Sequence, residues 1–351
     1  MNQVLGPGTA PHSGSGPADQ ASIHANGLLA LLTQYQTPAI LMAAHSLGIF
    51  SELGHDVLAL DELAHRLGLP ERSLGILVRA CVALGLLTLI DGRYATTPLT
   101  RGTLVNAEPG YLGRLVEKET TFYEAWANLD RCVREDAPAL APIRERARRD
   151  PEATLAFLLA LDDIAQIFGV DFVERLDLVG CRSLLDVGGG VGSYAVRLAH
   201  RFPEMQVTLL ELPEVAPWSR EFIGAAGLTD QIRVIPADFL TDEFTRGHEV
   251  ILFSNVFHDH PPPVCQELLA KAFRSLERGD RVVIYDFLLG PDRVQPTVSA
   301  VFAVMMLVEN LGGNVYSEQE VKAWLKGAGF KQIELARSPD PSPMGWYVGI
   351  K

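Results

Sequence analysis

The residues best placed to do chemistry stand at the ends of short apolar runs. Leu184-Leu185-Asp186-Val187-Gly188-Gly189-Gly190-Val191-Gly192-Ser193 reads as a strand that delivers Asp186 into a glycine-rich turn, with a helix opening near Ser193. Glycines let a ligand approach the backbone closely, and a helix N-terminus favours a negative group. Gly190-Val191-Gly192-Ser193-Tyr194-Ala195 satisfies GxGxxA, the pattern of a dinucleotide site, which is a weak signal alone. Asp186 is the unusual residue. A carboxylate two residues ahead of the first glycine repels pyrophosphate and suits a ligand with a positively charged amino group. S-adenosylmethionine is such a ligand, and these residues favour it over NAD.

Further strand ends repeat the theme. Leu209-Leu210-Glu211-Leu212-Pro213 places Glu211 where a carboxylate can accept both ribose hydroxyls, a feature that both cofactors share. At Pro236-Ala237-Asp238-Phe239, Asp238 can accept from an adenine amino group while Phe239 packs on the ring; the plainer alternative for Asp238 is a helix N-cap. A fourth run, Phe253-Ser254-Asn255-Val256-Phe257-His258-Asp259-His260, stops at three prolines.

These runs need a scaffold. Apolar segments at Ser183–Val187, Val207–Leu210, Ile232–Ile235, Val250–Phe253 and Arg281–Tyr285 alternate with helical stretches, which predicts a parallel sheet with right-handed crossovers. Gln332–Ala336 and Trp346–Ile350 are joined directly, so the sheet should also carry an antiparallel strand. Ahead of it, Leu60-Asp61-Glu62-Leu63-Ala64 opens a helix with Asp61 as N-cap, Gly68 breaks it, and Glu71–Leu87 makes another. Leu87–Ile90, Asp91-Gly92 and Arg93–Ala95 form a β-hairpin, which completes a winged-helix layout. The expected organisation is a disordered Gly/Pro/Ser tail at 1–21, the winged helix at 22–104, a helical connector at 105–178, and an α/β domain at 179–351.

The Gly180–Lys351 half, with this front, resembles the plant caffeate-type small-molecule O-methyltransferases and their bacterial antibiotic-pathway relatives. The likeness rests on Asp186–Gly192, Glu211-Leu212-Pro213, Asp238-Phe239, His258-Asp259 and Asp286. At the front it rests on Ala43–Phe50, Leu63-Ala64, Arg79–Leu86 and Tyr94–Pro98, so it covers residues 22–351. It implies a Rossmann-like seven-stranded α/β sheet behind a winged-helix dimerisation domain, and S-adenosylmethionine held by Asp186, Gly188, Gly190, Glu211, Leu212, Asp238, Phe239 and Ser254. It also implies His258 as general base beside Asp259 and Asp286, with Met306 and Asn310 against the acceptor and the connector at 105–178 as a wall of the acceptor pocket. A neutral imidazole, with an ordinary pKa of ~6.5, can take a proton as the acceptor oxygen attacks the sulfonium methyl.

The chain departs from that pattern at three places. Asp286 is one methylene shorter than the usual Glu. A second bracketing acid would fall near Val315, where none stands, and His260 replaces the usual Trp. His260 reads as a surface residue ahead of the proline turn, or else as an extra polar group near the site. Related ketoacid C-methyltransferases hold iron beside the same His-Asp pair. Here the third ligand position falls near Asn310, a poor ligand for iron, so no metal is expected.

Composition narrows the partners. The chain has 351 residues, 48% hydrophobic and 21% charged, and 30 basic against 43 acidic residues leave a net −13. That disfavours nucleic acid and anionic membranes. The winged helix supports this: Ser22–Thr100 holds four arginines, no lysine and six acids, with Leu, Val and Ala where a DNA-reading helix needs basic and polar residues. It reads as a module for packing and dimerisation. The run Arg144–Arg149 reads as a solvated patch. Four cysteines without CxxC spacing read as buried thiols of a cytoplasmic protein. The expected function is methylation of a hydroxyl on a small aromatic metabolite by a homodimer. The rivals are C-methylation of a keto acid, an NAD-linked oxidoreductase and a winged-helix regulator.

Overall fold

The computed structural model describes residues 17–106, 108–339 and 341–351, with side chains from residue 25 onward. The chain divides into two compact units, one ending at Gly113 and the other Arg114–Lys351. The expected tail lies mostly outside the described residues, but its last five positions do not belong to it, because a helix Pro17–Thr33 already begins there.

In the first unit, helices Leu60–Leu67 and Glu71–Ala83 bury Leu63, Leu74, Val78 and Cys81. They are followed by strands β1 (Leu87–Ile90) and β2 (Arg93–Thr96). Asp91 and Gly92 both have positive φ, as a two-residue hairpin turn requires, and the register pairs Ile90 with Arg93 and Leu87 with Thr96. Gly68 closes the first helix at φ +64. Asp61 is not the N-cap. The N-cap is Ala59, two positions earlier, and Asp61 sits in the helix's first turn, where a carboxylate still favours the positive helix end.

In the second unit, helices Leu129–Glu135, Ile143–Arg149, Pro151–Phe168 and Val170–Arg175 precede a seven-stranded sheet. Its strands are β3 (Ser183–Val187), β4 (Gln206–Glu211), β5 (Ile232–Pro236), β6 (Val250–Ser254), β7 (Arg281–Phe287), β8 (Lys331–Arg337) and β9 (Met344–Ile350). The order is β5-β4-β3-β6-β7-β9-β8; β9 runs antiparallel to both its neighbours, and the first five strands are parallel. Strand order therefore reverses between β3 and β6, where the carboxyl ends diverge and leave a crevice.

Alternation along the strands builds a core on each face. Leu184, Leu252, Val283 and Tyr285 face one cluster with Leu198 and Leu209, while Leu185, Val187, Phe253 and Ile284 face another with Leu268 and Leu269. These side chains are 0–1% exposed, and each large one contributes about 1.5–3 kcal/mol. The functional strand ends thus hang from a stiff sheet. Cys81, Cys132 and Cys265 are buried free thiols and Cys181 is half-buried. Among the described residues no helix is long and apolar enough to cross a membrane.

Candidate active site

The crevice is lined by strand ends. Asp186, near the end of β3, is 0% exposed, and neither carboxylate oxygen has a hydrogen-bond partner. Burial, then the nearby Glu211 charge, raises its pKa to about 7. Glu211 closes β4 and is anchored differently: Oε2 accepts from the Gly190 amide at 2.8 Å and Oε1 from the Leu212 amide at 2.7 Å. Burial lifts it to about 7 as well, against those two amides.

The glycine turn is needed where it stands. Gly188 and Gly190 have φ of +72 and +61, and a Cβ on Gly189 would lie 2.4 Å from Asp186 Oδ2. A Cβ on Gly190 would meet nothing closer than 4.0 Å, so its backbone faces open space. Ser254 Oγ, at the end of β6, is buried without a partner. Unpaired carboxylate and hydroxyl oxygens beside an open glycine turn fit a polar, cationic cofactor such as S-adenosylmethionine.

Beyond β5, the Phe239 ring packs on the turn, 3.0 Å from where a Gly188 Cβ would sit. Asp238 is no helix N-cap. Oδ1 accepts from the Leu240 amide at 3.0 Å in a local turn, and Oδ2 accepts from Arg144 at 2.8 Å. The adenine amino group assigned to Asp238 would therefore share a carboxylate already engaged within the chain.

The other half of the site hangs from β6 and β7. Asn255, at φ +56, breaks β6, and a single 3₁₀ turn, Phe257–Asp259, presents His258. His258 Nδ1 lies 2.6 Å from Asp286 Oδ1, and Asp286 Oδ2 accepts from the His258 amide at 3.2 Å. The Phe287 amide adds a 2.7 Å bond to Oδ1. Short as it is, Asp286 thus reaches the imidazole directly. Burial alone would lower the pKa of His258, but Asp286 and then Asp259 outweigh it and raise the imidazole to about 9.

Asp259 Oδ1 lies 3.6 Å from His258 Nε2 and accepts from Asn310 Nδ2 at 2.6 Å. Asn310 follows the helix Thr297–Glu309 as its C-cap, and Met306 on that helix is 2% exposed with its sulfur 4.0 Å from the Asn310 amide. Asp259, Met306 and Asn310 are thus brought together. Asn310 spends its amide on Asp259.

Two readings need correction. His260 is no surface residue: its ring meets Phe239 edge-on at 5.6 Å, and its carbonyl accepts from Tyr316 at 2.5 Å. Burial, then the His258 charge, pushes its imidazole down to about 4, so it is a neutral group in the wall. The arginine run is a solvated patch only at Arg148 and Arg149, which are exposed; Arg144 and Arg146 turn inward. Arg144 also faces Glu214, Arg148 bonds Glu214, and Arg146 reaches Glu309 at 3.2 Å while lying 4.4 Å over the Phe157 ring. Helix Ile143–Arg149 clips acids on both sides of the site.

Phe287 and Phe302 stack at 3.7 Å, with Phe302 perpendicular to the His258 ring at 5.0 Å. Neither stands out in the sequence, where both look like ordinary core positions. Val315 is 3% exposed, and a small pocket remains between it, His258, Asp286 and Tyr347, whose buried hydroxyl is unpartnered. Among the described residues no group of three or more His, Cys, Asp and Glu is placed to hold a metal ion.

The chain is similar to known proteins. Residues 127–331 match the O-methyltransferase domain model and residues 29–106 the O-methyltransferase dimerisation domain model. A 3-hydroxy-5-methyl-1-naphthoate 3-O-methyltransferase from Streptomyces sahachiroi is 32% identical over 315 residues, 89% of this chain and 91% of its own. The tetracenomycin polyketide synthesis 8-O-methyl transferase TcmO of Streptomyces glaucescens is 28% identical over 90% and 94%. The solved structure of PigF with SAH matches at TM-score 0.86 and 27% identity, covering 93% of this chain and 99% of that one. With its glycine turn, paired acids and His–Asp dyad on such a sheet, the chain belongs to the family of S-adenosylmethionine-dependent O-methyltransferases.

Proposed function

We propose that this methyltransferase acts as a homodimer on a phenolic hydroxyl of a small, flat aromatic metabolite, with His258 as general base. The observation that carries the reading is the 2.6 Å contact between His258 Nδ1 and Asp286. Asp286 holds the Nδ1 proton and fixes the ring, which leaves Nε2 to accept from a hydroxyl. The perpendicular Phe302 and its stacked Phe287 offer an aromatic acceptor a matching wall. Two relatives are named for acceptors of this kind, a hydroxynaphthoate and a tetracenomycin polyketide.

When bound, S-adenosylmethionine supplies an electrophilic methyl group on sulfur. Asp186, Glu211, Ser254 and the amides of the glycine turn would hold it, and Asp238 and Phe239 would flank its adenine. His258 takes the acceptor proton at Nε2 as the oxygen gains its methyl carbon, and Asp286 and Asp259 stabilise the imidazolium that results. A base near 9 is well matched to a phenol of ordinary pKa ~10, because the proton then moves at little cost. The same rise keeps His258 protonated near neutrality, so the rate should climb with pH towards about 9.

The test is the pH–rate profile of wild type and His258→Ala on one phenol. Removing the base should lower kcat by ~10²–10⁴-fold, with SAH affinity little changed. Equal rates and identical profiles would make His258 a bystander.

A further inference from the structure

Helix Pro262–Ser275 carries one lysine, and it is turned inward: Lys271 is 5% exposed. Its ammonium bonds the carbonyls of Phe239 at 3.0 Å, Leu240 at 2.9 Å and Asp242 at 3.0 Å. Three donors thus meet three acceptors of a single loop. A buried ammonium is costly unless every N–H is answered, so this cation is sustained by how that loop points its carbonyls.

The loop could not easily hold that shape alone. The amides of Thr241 and Asp242 both turn back to the Asp238 carbonyl, and the Asp242 carboxylate accepts from the Asp238 amide at 2.8 Å. With the amides spent inside the turn, carbonyl oxygens converge on its far side, and like dipoles repel. A central cation removes that repulsion, as a bound metal ion would. On its other side the same loop presents the Asp238 carboxylate, and the Phe239 ring against Gly188 of the glycine turn. Residues 238–242 are therefore a wall of the crevice, and Lys271 is the nail behind it.

The geometry points to Lys271 as a positioning residue that fixes the adenine-side wall of the cofactor site. Lys271 lies behind the wall and acts only through Asp238 and Phe239. The inference rests on reading those two residues as the adenine contacts, so the experiment has to separate the two ideas.

Calorimetry on the full chain would compare wild type, Lys271→Met and Asp238→Ala. The probes are S-adenosylhomocysteine and S-inosylhomocysteine, which carries oxygen in place of the adenine amino group. Lys271→Met should weaken S-adenosylhomocysteine by about tenfold or more and S-inosylhomocysteine much less. Its KM for the methyl donor should rise while kcat at saturation stays within about threefold. A general loss of structure would weaken both probes and lower kcat together. If Lys271→Met does not fold, Lys271→Gln keeps two donors, and faster amide exchange across 238–242 reports the same loosening. A folded variant that binds S-adenosylhomocysteine like wild type, while Asp238→Ala binds it poorly, overturns the role of Lys271. If Asp238→Ala also binds normally, it is the adenine reading that has failed, and the inference with it.

Discussion

Asp186→Asn should stabilise the ligand-free enzyme in alkali and cripple its cofactor site, and the structure sets the size of both effects. Asp186 has no solvent exposure and no partner for either oxygen, and its pKa stands at about 7 against an ordinary 3.8. A folded-state value above the unfolded one means stability that is complete below pH 4 and lost as pH rises through 7. The full loss is about 3 pKa units at ~1.4 kcal/mol each, or roughly 4 kcal/mol. By the same relation roughly 3 kcal/mol of it falls between pH 5 and pH 8. Asparagine keeps the shape and cannot ionise, so the variant should lack that part of the pH dependence. At ~1.4–2 °C per kcal/mol for a protein of this size, its Tm relative to wild type should rise by about 4–6 °C from pH 5 to pH 8. Titrating groups that do not feel Asp186, His258 among them, are common to both proteins and cancel in the difference, and the coupling to Glu211 is part of what is measured. Scanning calorimetry at the two pH values, with and without S-adenosylhomocysteine, measures it. With ligand, the order should reverse, since the wild-type carboxylate gains more from a cationic amino group than the neutral amide of the variant can. A Tm difference that does not change with pH would refute the buried, uncompensated carboxylate, and equal ligand gains would remove Asp186 from the cofactor site.

Three other outcomes are expected. Asp286→Asn should shift the rising limb of the pH–rate profile to lower pH, because the main charge that raises His258 is gone, and should cost less rate than His258→Ala; an unmoved limb would show that the dyad does not tune the base. Gly189→Ala forces a Cβ to within 2.4 Å of Asp186 Oδ2 and 2.6 Å of Leu209, so titration should show at least about a tenfold loss of S-adenosylhomocysteine affinity. Sedimentation of the full chain should give about twice 38.3 kDa, with Leu31→Glu shifting it towards the monomer, since Leu28, Leu29, Leu31 and Leu32 are all more than half exposed; an active monomer would end the homodimer proposal.

Much of the fold is legible because the sheet writes itself into short-range pattern. Apolar runs of four to six residues ending in Asp186, Glu211 and Ser254 mark β3, β4 and β6, and the observed strands differ from those runs by a residue or two at most. Glycine and histidine motifs at the strand ends are readable for the same reason. What escapes depends on partners far apart in the chain. Separations of 94 positions from Arg144 to Asp238, and of 163 from Arg146 to Glu309, leave no local signal that these arginines meet the protein's own acids. His260 reads as surface because prolines stand behind it, whereas Phe239, brought in from the end of β5, encloses it. The cap expected at Asp61 is off by a position or two, the ordinary uncertainty of helix ends.

The two halves of the site differ in how their charge is settled. On the β3–β4 side, Asp186 has no partner, and Glu211 has only two backbone amides to oppose its burial. That half is poised for a cation to arrive. On the β6–β7 side, the imidazole has its counter-charge built in, with Asp286 at 2.6 Å and Asp259 held by Asn310. There a proton on the imidazole is met by charge already in place. The division follows from the topology: β3 and β4 bring Asp186 and Glu211 to one side of the crevice, while on the other the turn after β6 lays His258 against Asp286 of β7. In the proposed reaction a cationic methyl donor meets the first half and the acceptor's proton the second, and neither half supplies the other's charge.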